Sequence, residues 1–90
     1  MAMIRVEPSE VRVRTDWLRG RPREVRWGDR TIPVTAVTAV RRERSAYPIE
    51  IGPRTTFEVD TPEARLSLTF RHRGRRWLLE GLDPDVTRAA

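Results

Sequence analysis

The dominant pattern along the chain is a period-two alternation of apolar and polar positions, the spacing of half-buried strands. Val11, Val13 and Thr15 share one parity and Arg12 and Arg14 the other, and Trp17 carries the apolar parity on, with Leu18 behind it. Arg19-Gly20-Arg21-Pro22 is a turn by composition. Val25 and Trp27 then resume an inward face, with Glu24 and Arg26 outward. Trp27-Gly28-Asp29-Arg30 is the clearest local signal. Two residues separate two alternating runs, and a glycine at the first central position suits a type II′ hairpin turn, so residues 23–27 and 30–34 are expected to pair. Thr55, Phe57 and Val59 alternate with Thr56, Glu58 and Asp60, and Thr61-Pro62-Glu63 turns the chain. Leu66, Leu68 and Phe70 alternate with Arg65, Ser67, Thr69 and Arg71. Arg73-Gly74-Arg75 is a second tight turn, and Trp77 and Leu79 form the last inward pair.

Residues 32–44 fit two periods. The three-residue beat of Val34, Val37 and Val40 could sit on a helix, but β-branched residues dominate and no good cap precedes them. The segment reads as one long strand, apolar on both faces, bent or bulged, and central in a curled sheet. Residues 45–53, with two prolines and a glycine, read as a loop. Asp83-Pro84 could cap a short helix, but residues 83–90 read as a frayed tail beyond an ordered core of about 4–82. The expectation is therefore a single all-β domain. Five to six antiparallel strands form a meander that curls into a small open barrel, which covers its edges and encloses one core. The expected core is Val11, Val13, Val25, Trp27, Ile32, Val34, Phe57, Val59, Leu66, Leu68, Phe70, Trp77 and Leu79.

Composition narrows the function. Ninety residues bury only about 60–65% of the unfolded surface, enough for one modest core and little else. The absence of cysteine removes disulfides, thiol catalysis and cysteine-ligated zinc. The first residues lead straight into a charged segment without the pattern of a signal peptide, and no apolar run approaches the length of a membrane span. A cytoplasmic protein without a membrane partner is the expectation. Net charge is +5, and all 18 basic residues are arginine. Guanidinium groups match phosphate oxygens bidentately. Arginine without any lysine is also what a GC-rich genome writes by codon bias, so only the placement of the charges can carry function.

No catalytic constellation is visible. His72 is the single histidine, flanked by Arg71 and Arg73, with no orienting carboxylate close in sequence. It reads as an exposed turn residue. Glu58 and Asp60, two apart on one strand face, read as cross-strand ion-pair partners of arginines such as Arg65 and Arg71. No glycine loop suited to phosphates is present, and neither an enzyme nor a cofactor or metal is expected. Three arginine clusters remain: Arg19, Arg21, Arg23 and Arg26 around the first turn; Arg41, Arg42 and Arg44 after the valine run; and Arg71, Arg73, Arg75 and Arg76 at the last hairpin. A hairpin tip of that charge can straddle a phosphate backbone. Nucleic-acid contact through Arg71, Arg73, Arg75 and Arg76, helped by Arg19, Arg21 and Arg23, is the leading expectation. A protein-interaction module or an edge-pairing homodimer, using Trp17, Leu18 and Tyr47, is the alternative.

Val11-Arg12-Val13, Gly20-Arg21-Pro22, Val25-Arg26-Trp27, Arg30, Val34, Val37 and Arg76-Trp77-Leu78-Leu79-Glu80 together resemble a family of short actinobacterial β-domain proteins of unassigned function. The resemblance covers residues 10–83 and rests on turns and core tryptophans. It departs at Ala46-Tyr47-Pro48, where such proteins carry further tryptophans. It implies a compact β domain, points toward nucleic-acid or repair-partner binding, and transfers no catalytic residue.

Overall fold

The computed structural model describes residues 3–43 and 53–84. It contains seven strands and no helix among these residues: β1 (Ile4–Thr15), β2 (Pro22–Trp27), β3 (Arg30–Pro33), β4 (Ala36–Glu43), β5 (Arg54–Asp60), β6 (Arg65–Arg71) and β7 (Arg76–Asp83). All pairings are antiparallel, in the order β3-β2-β1-β7-β6-β5-β4.

Chain connectivity forces this sheet to curl. β3 and β4 lie at opposite ends of the strand order, yet only Val34 and Thr35 separate them. Laid flat, six strand spacings would hold these edges about 29 Å apart. The link from Pro33 to Ala36 reaches only about 11 Å. The linker is bonded on both sides: Val34 N–H donates to the Arg23 carbonyl (2.9 Å) and Thr35 N–H to the Asp60 carbonyl (2.8 Å). The result is an open half-barrel. Twelve-residue β1 turns the corner by pairing with β7 as far as Val11 and with β2 from Arg12 onward. The β1–β7 register shifts between Arg5 and Ser9, where Pro8 offers no N–H to the ladder.

The strand parities expected from the alternation set the core. Val11, Val25, Ile32, Phe57, Val59, Leu66, Leu68 and Leu79 are buried together with Ala64, and Val13, Trp27, Val34, Val37, Trp77 and Leu82 pack against them. Phe70 is half-buried and packs on Trp77, with ring centroids 5.0 Å apart. Gly28 has φ +63°, whereas Asp29 is not at positive φ, as a type II′ turn requires, and Trp27 pairs with Arg30.

Three expectations are corrected. The strands number seven, because the segment read as one long strand is two: Pro33 ends β3, and the chain crosses to the opposite edge. β4 is therefore an edge strand and not a central one. Asp83, read as the start of a frayed tail, is the last residue of β7 and only 3% exposed. Residues 45–52 of the expected loop and 85–90 of the expected tail lie outside the described residues. No helix among the described residues is long and apolar enough to cross a membrane.

Candidate nucleic-acid interface

The β6–β7 hairpin closes on the pair Arg71 and Arg76, leaving residues 72–75 as its tip. Gly74 (φ +87°) and Arg75 (φ +52°) reverse the chain, and Arg75 is the one non-glycine at positive φ among the described residues. A side chain in that region costs about 1–2 kcal/mol that glycine would not. The tip is braced from below. His72 N–H donates to the Pro53 carbonyl (3.1 Å), and His72 Nε2 is hydrogen-bonded to Thr55 Oγ1 (2.9 Å). The imidazole meets Phe70 edge-on at 5.1 Å, and Trp77 links Phe70 to Phe57. His72 is thus an exposed turn residue whose ring ties the tip to β5.

The register of the sheet adds an arginine that the alternation along the chain does not single out. Arg54 on β5 lies directly opposite Arg71 on β6, which lies opposite Arg76 on β7. Three guanidinium-bearing positions therefore stand side by side on neighbouring strands, where like charges repel. Glu43, opposite Arg54 on β4, is the carboxylate that meets this row: its Oε2 is 3.2 Å from Arg54 Nη2, while its Oε1 is 3.6 Å from Arg41 Nε. None of the ion pairs among the described residues includes Arg71, Arg73, Arg75 or Arg76. Arg73, Arg75 and Arg76 are exposed, and Arg71 is half-buried.

The other clusters lie elsewhere. Arg19, Arg21 and Arg23 belong to or flank the β1–β2 connection, which borders the start of β4 at Ala36 and Val37. Ala36 pairs with Asp60, at the far end of β5 from Arg54. At strand rise that separation is about 20 Å, so the first cluster does not join the arginine row. Asp16 holds this connection: its Oδ1 accepts from the backbone N–H of Arg19 (2.6 Å) and of Gly20 (3.1 Å). Those bonds, the Arg19 one first, keep its carboxyl below the usual value. Trp17 and Leu18 project from the same loop, 93% and 71% exposed. Arg26 and Arg14 share Glu24 (3.6 and 3.8 Å). In the second cluster Arg41 is tied to Glu43 and Arg42 is exposed on the β4 edge, whereas Arg44 lies outside the described residues, as does Tyr47.

Of the two carboxylates expected to form ion pairs, Asp60 binds Arg65 (2.7 Å). That hydrogen bond raises the Arg65 pKa. Glu58 stands in no ion pair among the described residues. No group of three or more metal-ligating side chains gathers among the described residues. Comparison of the chain with family models, with curated proteins and with solved structures gives no match, so function has to be read from the residues themselves.

Proposed function

We propose that this protein is a small non-catalytic binding module that takes the phosphate backbone of a nucleic acid on the Arg54, Arg71, Arg76 row and the adjoining tip residues Arg73 and Arg75. The observation that carries the reading is charge that the register leaves uncompensated. Three arginines face one another across β5, β6 and β7 with one shared carboxylate at the margin. Arg75 moreover occupies a backbone position that favours glycine. A run of phosphates relieves the mutual repulsion of the row and fills the guanidinium forks of Arg71 and Arg76, which stand in no ion pair among the described residues. Arg19, Arg21 and Arg23, on the far side, are not part of this surface.

The test is titration of labelled single- and double-stranded DNA and RNA at several salt concentrations. Binding should weaken linearly on a log–log plot against salt. Changing Arg73, Arg75 and Arg76 together to Ala should flatten the slope by about 0.7–0.9 for each phosphate that is no longer neutralised. The same change at Arg19, Arg21 and Arg23 should leave it nearly unaltered. Absence of binding at low salt would sink the reading.

A second reading rests on Trp17 and Leu18. Two large apolar side chains held out on a braced loop fit the anchor of a protein–protein contact, since Trp and Arg dominate such hot spots. A self-association that Trp17→Ala abolishes, seen as a fall in mass by light scattering, would favour it.

A further inference from the structure

The same face of these strands, turned away from the core, carries a recess of about 230 Å³ next to the arginine row. Its floor is polar and small: Thr56 on β5, Ser67 on β6 and Gly81 on β7. Thr56 Oγ1 lies 3.3 Å from Thr69 Oγ1, and the Thr69 hydroxyl, only 1% exposed, donates to Glu80. Glu80, outward by the alternation of β7, sits at a β-bulge. Ser67 pairs with Gly81 and Leu68 with Leu79, so Glu80 is the extra residue, turned onto this face. Bulges of this kind re-aim a side chain and are frequent beside binding sites. A Cβ at position 81 would come within 2.8 Å of Met3 Cγ and 3.1 Å of Ser67 Cβ, so the glycine makes room for the Met3 side chain at one side of the recess.

The recess is bipolar. Glu58 and Glu80 line it together with Arg5, Arg41 and Arg54, yet none of the ion pairs among the described residues joins either carboxylate to an arginine. Glu58 and the second oxygen of Glu80 therefore stand as acceptors beside the guanidinium donors of Arg5, Arg41 and Arg54, the last two of which also meet Glu43. A ligand that satisfies both has an anionic group at one end and adjacent N–H donors at the other. A nucleotide has that form. Arg54 belongs to the recess and to the phosphate row alike, and Thr56 stands two residues further along β5, about 7 Å away. Among the bases, guanine presents two neighbouring donors, N1–H and N2–H, on its Watson–Crick edge, which match the two oxygens of one carboxylate. Adenine, cytosine and thymine each present a single donor group there.

We infer that the recess takes one unpaired guanine of a bound single strand, with Glu80 and Glu58 as acceptors and Arg54 on the adjoining phosphate. The inference rests on the phosphate-binding reading above and adds base selectivity to it, since unpaired bases are read on their Watson–Crick edges.

The experiment compares a labelled ten-nucleotide oligothymidine with the same strand carrying one central guanosine, using the full chain. The guanosine strand should bind about tenfold more tightly, as one bidentate base contact supplies. Glu80→Gln and, separately, Glu58→Gln should bring the ratio to about one without weakening the oligothymidine. A merely structural role would lower both affinities together. Guanosine monophosphate against thymidine monophosphate, followed by the amide shifts of Ser67 and Gly81, forms a second arm. Free guanosine monophosphate binding with no preference between strands would overturn the strand assignment and leave a free nucleotide as the occupant. Equal strand affinities with a steep salt dependence and no shift by either monophosphate would overturn the inference and leave the phosphate reading standing. No binding of either strand would overturn both.

Discussion

The β6–β7 tip and the β1–β2 connection are two arginine-rich hairpin ends among the described residues, and they are built in opposite ways. The tip stands on aromatic packing: Phe57, Trp77, Phe70 and His72 follow one another beneath it, and its projecting residues are arginines. The β1–β2 connection projects a tryptophan and a leucine among its arginines and is held by one carboxylate bonded to its own backbone. Two stretches of similar composition thus present different surfaces. One is charge on an apolar pedestal; the other is apolar bulk on a polar clasp. What decides between them is which neighbours the register supplies, and the tip has Arg54 and Arg71 beside it whereas the connection has Ala36 and Val37.

The sharpest way to break this contrast is to remove the tryptophan from each region. Trp77 packs on the core between two rings, so Trp77→Ala should destabilise the fold by about 3 kcal/mol. Trp17, exposed, should change stability by less than about 0.5 kcal/mol when replaced by Ala. Urea denaturation of both variants measures the difference. Equal effects would mean that Trp17 packs against something in solution.

A smaller effect separates shape from charge within the tip. Arg75→Gly relieves the positive φ and should stabilise the hairpin by about 1 kcal/mol, while nucleic-acid affinity falls and its salt slope flattens. Thermal melting and the salt titration on the same variant give both numbers. A more stable protein with unchanged binding would leave Arg75 without a role in the surface.

The inside of this half-barrel is legible in the sequence and much of its outside is not, for one physical reason. Parity is local: Leu66, Leu68 and Phe70 declare an inner face without reference to any other strand. Register is not local. Arg54 stands apart from the other arginines in sequence, and only its pairing with Arg71 makes it part of a row. Glu80 reads as one more outward residue of an alternating run until the bulge at Ser67 and Leu68 shows it to be the extra one. Pro33 is visible as a poor strand residue, but nothing nearby says that the chain leaves one edge there and enters the other. The first seven residues of β1 carry no clean alternation, since the strand changes partner and shifts register, and only its second half is readable as a strand.

The least change that tests the comparison is one of pH at the β1–β2 connection. Asp16 accepts the N–H groups of Arg19 and Gly20 only as an acceptor-rich carboxylate, and these bonds, the Arg19 one foremost, lower its pKa in the folded protein. A lowered folded pKa means that its contribution is fully present above the unfolded carboxylate value and is lost as pH falls through the lower folded value. The clasp should therefore survive mild acid and open only below the ordinary carboxylate range, exposing the Arg19 and Gly20 amides to exchange. Asp16→Ala should show that faster exchange already at neutral pH, with the β6–β7 tip untouched. If the two hairpin ends are independent, amide exchange at Arg73, Gly74 and Arg75 will be the same in the variant and the parent. Acceleration at both ends would show that the clasp and the pedestal are one cooperative unit, in which case the contrast between them is of surface chemistry alone.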